Sequence, residues 1–133
     1  PGQTKLLFWD LYQKYLNKNS DIIQLHGSGN ETRDFLYIED LAQLIYLVYL
    51  NAEFGGEVYN AASGLETKIK DVAQLFIELL DKRKKINFTS NSLVGYPDNW
   101  QADISSVKKI GFEVKTKIET GLQNYIQWLK ERE

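Results

Sequence analysis

A chain of 133 residues, 43% apolar and 26% charged, has the make-up of one globular domain with a single modest core, neither disordered nor fibrous. Its 16 basic and 18 acidic residues are spread along the chain and leave a net charge of −2, which argues against nucleic acid or an anionic membrane as a partner. The absence of cysteine excludes disulfides, thiolate metal ligation and thiol catalysis, and His26, the single histidine, leaves little for an imidazole metal site.

The longest apolar stretch, residues 41–50, is broken by Gln43 and falls short of the ~20 residues that span a bilayer, so no membrane segment is expected. No signal peptide is read, and a cytoplasmic location is the expectation. The chain opens Pro1-Gly2 with no methionine anywhere, which reads as a piece of something longer.

In chain order, Thr4 is placed to cap a helix whose apolar positions Phe8, Leu11, Tyr12, Tyr15 and Leu16 recur every three or four residues. Residues 22–26 form a short extended run closed by the turn-forming residues 27–30, and residues 33–38 form a second. Both faces of that second run are apolar after Arg33, which predicts an interior strand. Asp40 stands at the start of a helix to about Asn51, apolar almost all round and therefore expected to be covered on more than one side.

Gly55-Gly56 turns into a further expected strand at 58–61, and Thr67 is placed to cap a helix with Ile69, Val72, Ala73, Phe76, Ile77 and Leu80 on one face. The basic residues 82–85 end that helix, as solvated charges favoured by its dipole. A strand at 86–88 follows, then an irregular segment, 91–100, with Gly95 and Pro97, the best candidate for a functional loop. Asp103 caps a short helix ended by Gly111, and Thr116-x-x-Glu119 reads as a capping box before a helix carrying Ile118, Leu122, Tyr125, Ile126 and Leu129. The fold class is mixed α/β, helices alternating with short strands, in one domain over 1–133.

The most informative segment is 27–42, GSGNETRDFLYIEDLA. An arginine at a loop-strand junction presents its guanidinium fork from a stiff element and can bind a pair of phosphate oxygens. The alternative is a surface Arg33 paired with Asp34 or Glu31.

This segment resembles the G-x-G-x-x-x-R-D-F-x-Y-V-x-D-(L/V)-A stretch of the extended short-chain dehydrogenase/reductase family, the NAD-dependent nucleotide-sugar epimerases and dehydratases. Three other stretches resemble that family in order and spacing. Pro1-Gly2-Gln3 is similar to the end of its N-x-Y-G-P-G-Q, and residues 58–64, VYNAASG, to its x-Y-N-(I/V)-G-(S/G)-G. Ala102-Asp103-Ile104-Ser105 with Ile110-Gly111-Phe112 is similar to its x-D-x-S-K-A-x-x-x-L-G-(W/F).

The resemblance implies the C-terminal, substrate-binding part of such an enzyme, with the NAD-binding Rossmann part absent, NAD as cofactor of that absent part, and a nucleoside-diphosphate sugar as ligand. It gives Arg33 the nucleotide's pyrophosphate, Gln24 and His26 the nucleotide pocket, and Asn60 a contact with substrate. His26 as a structural histidine and Asn60 as a turn residue are the alternatives. Tyr96 and Asp98 align with a second phosphate or ribose contact, usually Arg-Pro-Gly-Asp-like. Here the sequence departs from the family, with no arginine between Arg83 and Arg132, so that a lysine, backbone amides or Trp100 must substitute. Trp100 is expected either to stack on a base or to pack into the local core.

Family catalysis uses a Tyr-x-x-x-Lys pair, and none of the eight tyrosines here has a lysine four residues on. Nor is there a Gly-x-x-Gly-x-x-Gly turn after a first strand. The expectation is a chain that neither catalyses nor binds NAD alone and that self-associates through an exposed apolar face. A free-standing nucleotide- or protein-binding module, or part of an NADPH-dependent reductase, are the alternatives.

Overall fold

The computed structural model describes residues 6–81, 83–89 and 97–132. The elements are α1 (Leu7–Leu16), β1 (Ile22–Leu25), β2 (Thr32–Asp34), α2 (Ile38–Asn51), β3 (Glu66–Lys68), α3 (Ile69–Leu80), β4 (Lys85–Phe88), α4 (Ser105–Lys109) and α5 (Ile118–Lys130). The described residues of 1–31 and 68–98 form one compact unit, and those of 32–67 and 99–133 a second. No described helix is long and apolar enough to cross a membrane.

In the first unit β1 pairs in parallel with β4, Ile22 opposite Lys85 and Leu25 opposite Phe88. The strand period of two buries Ile23 and Leu25 and leaves Ile22 and Gln24 outside. The apolar face of α3, Val72, Ala73, Phe76, Ile77 and Leu80, is buried, and α1 lies against α3 and β1, with the Phe8 and Phe76 ring centroids 5.5 Å apart. At its start α3 has no side-chain cap, and Thr67 lies in β3 instead of capping it. The amides of Ile69 and Lys70 donate to the carbonyls of Glu31 and Gly29, each at 2.9 Å, so the glycine turn supplies the acceptors that a helix start needs. The expected Thr4 cap, the Pro1-Gly2-Gln3 stretch, Lys82, and residues 91–96 of the expected loop lie outside the described residues.

The second unit packs Leu44 of α2 with Ala62, Ile104, Val107 and Phe112, bordered by Leu36, Leu47, Val48 and Val114. Four expectations are corrected here. The extended run 33–38 is a strand only to Asp34, because its partner β3 is three residues long and α2 has begun by Ile38. Among the described residues β2 pairs with β3 alone, so it is not interior. Residues 58–61 form no strand, and Val58 is 84% exposed. The Thr116 capping box is not what starts α5, which is flanked by Lys117 without a side-chain cap; the Thr116 amide instead donates to the buried Asp40 carboxylate at 2.9 Å.

Only Asp40 and Leu44 of α2 are buried, and Ile45, Tyr46, Tyr49 and Leu50 are exposed, so this unit covers the helix on one side. The cap position of α4 is Ile104 and not Asp103, which stands one residue earlier and accepts the Ser105 amide at 2.8 Å, and Gly111 follows that helix at φ 87°.

Gly64 is the glycine this packing most constrains. It sits at φ +72°, and a Cβ there would lie 2.8 Å from the Ile104 side chain. Gly64→Ala is expected to destabilise by more than about 1 kcal/mol, since backbone strain and a core clash add. Gly111→Ala, at φ +87° with nothing within 4 Å, carries the strain alone. Urea unfolding of both variants checks this, and equal costs would mean that Ile104 gives way freely.

Candidate functional site

Arg33 is the central residue of β2, held between a buried Thr32 and a half-buried Asp34. The Thr32 hydroxyl donates to Glu66 Oε1 at 2.5 Å and accepts the Trp100 amide at 3.1 Å. Arg33 Nη1 donates to the Thr32 carbonyl at 2.6 Å, and the guanidinium carbon lies 5.7 Å from the Trp100 ring centroid. Trp100 is 55% exposed, so it is an aromatic beside a cation and not part of the local core.

The two carboxylates nearest in sequence to Arg33 hold backbone. Asp34 Oδ1 accepts the Ser63 amide at 2.7 Å and the Ser63 hydroxyl at 2.6 Å, while Oδ2 accepts the amides of Gly64 at 2.9 Å and Ala102 at 3.3 Å. Glu31 accepts the amides of Ser28 and Gly29, each at 2.8 Å. Gln101 Nε2 adds a bond to the Gly64 carbonyl at 2.7 Å. Asp34 thereby ties the 63–64 turn and the 100–102 segment to the strand that carries Arg33. The same turn borders a cleft of about 460 Å³ lined by Ser63, Gly64, Leu65, Ile104, Lys108 and residues 111–114.

Of the other candidates, Asn60 shares the second unit with Arg33, and its Nδ2 donates to the Asp103 carbonyl at 2.9 Å. Gln24 and His26 are exposed in the first unit, Gln24 opposite Asn87 on β4 with its carbonyl accepting Lys14 Nζ at 2.9 Å. Asp98 is exposed at a bend in the same unit, and Tyr96 lies outside the described residues. Sequence reasoning left Thr32 out of the site, weighed Asp34 only as an ion-pair partner of Arg33, and offered Trp100 as a ligand contact or a core residue without placing it beside Arg33. The RD pair itself was the signal for Asp34, whereas Thr32 and Trp100 are joined by a bond between residues 68 positions apart.

The Ser28 amide is the chief cause that holds the Glu31 carboxyl below the usual glutamate range, with the Gly29 amide adding to it. A lowered folded pKa means stability that is fully present above the unfolded value, about 4.3, and lost as pH falls through the folded one. Glu31→Gln is therefore expected to lower the thermal midpoint at neutral pH, by an amount that shrinks as pH drops below about 4. Melting curves from pH 7 to pH 3 read this directly, and a constant difference would place the effect in packing instead.

Residues 3–62 match the model of the NAD dependent epimerase/dehydratase family. A trifunctional UDP-glucose 4,6-dehydratase/UDP-4-keto-6-deoxy-D-glucose 3,5-epimerase/UDP-4-keto-L-rhamnose-reductase of Arabidopsis thaliana is 31% identical over 118 residues, 85% of this chain and 17% of that protein. A mutant UDP-glucuronic acid 4-epimerase from Bacillus cereus, solved with UDP-4-deoxy-4-fluoro-glucuronic acid and NAD, has a TM-score of 0.84 at 23% identity, over 98% of this chain and 41% of its own. The dTDP-glucose 4,6-dehydratase from Bacillus anthracis, solved with NAD, has 0.76 at 25% identity, over 96% and 40%. The chain spans less than half the length of these relatives. The matches support the family that the motifs resemble and a mixed α/β fold with Rossmann-like neighbours.

Proposed function

We propose that this chain belongs to the NAD-dependent epimerase/dehydratase family as its C-terminal, substrate-binding part, and that it holds a nucleoside-diphosphate sugar while residues outside it bind NAD and carry out the chemistry. The observation that carries this reading is Arg33, a fork-shaped cation fixed on β2 beside an exposed indole, within the span that matches the family model. A pyrophosphate offers that fork paired anionic oxygens, and bidentate charge-assisted bonds are the strongest contact available to it.

In this reading Asn60, in the same unit as Arg33, meets the sugar, and Gln24, His26, Tyr96 and Asp98 keep the ligand contacts that the motifs imply. Asn60 spends its Nδ2 on the Asp103 carbonyl, which leaves its Oδ1 to accept from a sugar hydroxyl. The glycine turn after β1 does not fit the cofactor. Its Ser28 and Gly29 amides are held by Glu31, and it leads into β2 and not into a helix N-terminus. NAD and the Tyr/Lys pair are assigned to residues outside the chain, and the exposed side of α2 to a partner, either that cofactor-binding half or a second copy.

A reductase of the same superfamily is the second reading, favoured by the reductase activity in the Arabidopsis relative's name. The test of the shared claim is calorimetric titration of the chain with UDP-glucose and dTDP-glucose. Binding that inorganic pyrophosphate competes away supports it. No binding, or binding indifferent to pyrophosphate, contradicts it.

A further inference from the structure

We infer that Trp100 is a positioning residue for Arg33, its indole holding the guanidinium where a nucleoside diphosphate's pyrophosphate is received; the inference rests on the role proposed for Arg33 above. An arginine side chain has several rotatable bonds, and a fork works only when its plane faces the two oxygens it is to bind. The bond from Nη1 to the Thr32 carbonyl anchors one nitrogen of that fork. The ring supplies a restraint on the plane, since 5.7 Å from guanidinium carbon to centroid is within the ~6 Å reach of a cation-π contact.

Burial does not explain where Trp100 sits, because the residue is 55% exposed. Backbone bonds place it. Its amide donates to the hydroxyl of Thr32, and two residues on the Ala102 amide donates to Asp34 Oδ2. Thr32 and Asp34 are the residues on either side of Arg33, so the segment that carries the indole is laced to β2 immediately before and after the cation it meets. Thr32 is itself anchored by its bond to Glu66, which makes the arrangement a fixed one.

The experiment is titration of UDP and of uridine into the chain and its Trp100→Leu, Trp100→Phe and Arg33→Ala variants, with the double variant Arg33→Ala/Trp100→Leu closing the cycle. Leucine keeps apolar bulk and removes the π face; phenylalanine keeps the face. Trp100→Leu is expected to weaken UDP binding about two- to five-fold, Trp100→Phe to restore most of it, and the leucine change to add nothing once Arg33 is gone.

Equal losses for UDP and uridine, or a loss that persists in the Arg33→Ala background, would mean that Trp100 meets the ligand itself, and the inference falls. It falls alone if Arg33→Ala abolishes binding while Trp100→Leu binds as the parent does. If the parent does not bind UDP, or Arg33→Ala binds it unchanged, the pyrophosphate role of Arg33 fails and this inference with it. Should Trp100→Leu not fold, Trp100→Gln takes its place in the same titrations: a loss for UDP that uridine does not share supports the inference, and UDP binding equal to the parent's overturns it.

Discussion

Arg33→Ala is expected to weaken binding of UDP-glucose or dTDP-glucose by about ten- to a hundred-fold, the loss of one hydrogen-bonded charged contact of about 1.5–3 kcal/mol. The estimate follows from where the side chain stands. It stands on β2 with Nη1 on the Thr32 carbonyl and the guanidinium beside the Trp100 ring. Arg33→Lys separates charge from shape: it keeps the cation and loses the planar fork, so it should fall between the parent and alanine. Calorimetry at fixed ionic strength is the measurement, since exposed charge pairs weaken as salt rises. Affinity unchanged in Arg33→Ala would remove this residue, and with it the argument for a pyrophosphate site.

The helices were the readable part of this sequence. Ile69 to Leu80 buries the face that its spacing predicts, and Ile118 to Lys130 buries Leu122, Ile126 and Leu129. A period of 3.6 is a local signal, and a helix makes its bonds within itself. The strands were readable only where a turn closed them. The runs 22–26 and 86–88 are visible in the sequence, one residue off the observed strands 22–25 and 85–88, but nothing local says that they pair in parallel across the length of α3.

Residues 35–38 show the opposite failure. Phe35, Leu36, Tyr37 and Ile38 look like a strand by composition, yet Leu36 packs on the core of the second unit and Ile38 opens a helix. Burial there is supplied by a helix-lined core and not by a sheet, and the residue types are the same for either. The candidate site divides likewise. Arg33 was found from its motif, whereas the Trp100 contact depends on a backbone bond to Thr32 that local sequence does not encode.

Asp34 is where the largest loss of stability is expected. Its carboxylate receives two bonds from Ser63, one from Gly64 and one from Ala102, and Ser63 is buried. Asp34→Ala takes the acceptor from the buried Ser63 and from the half-buried Gly64 and Ala102, at a cost of about 3–5 kcal/mol, since an orphaned buried donor costs about 1–3 kcal/mol and the losses overlap. Asp34→Asn should retain part of this. Its single oxygen can still serve Ser63, but its amide nitrogen then faces the Gly64 and Ala102 amides, donor against donor, so about 2 kcal/mol should go even though the shape is kept. Urea unfolding of the three proteins gives the order, and an unchanged slope shows that stability and not the extent of unfolding has moved. A cost below about 1 kcal/mol for alanine would mean that water replaces the carboxylate at the turn. The same substitution frees the 100–102 segment on one side, so Asp34→Asn should also weaken UDP binding in the direction of Trp100→Leu, and a variant that lost stability with UDP affinity intact would show that Thr32 alone suffices to hold the indole.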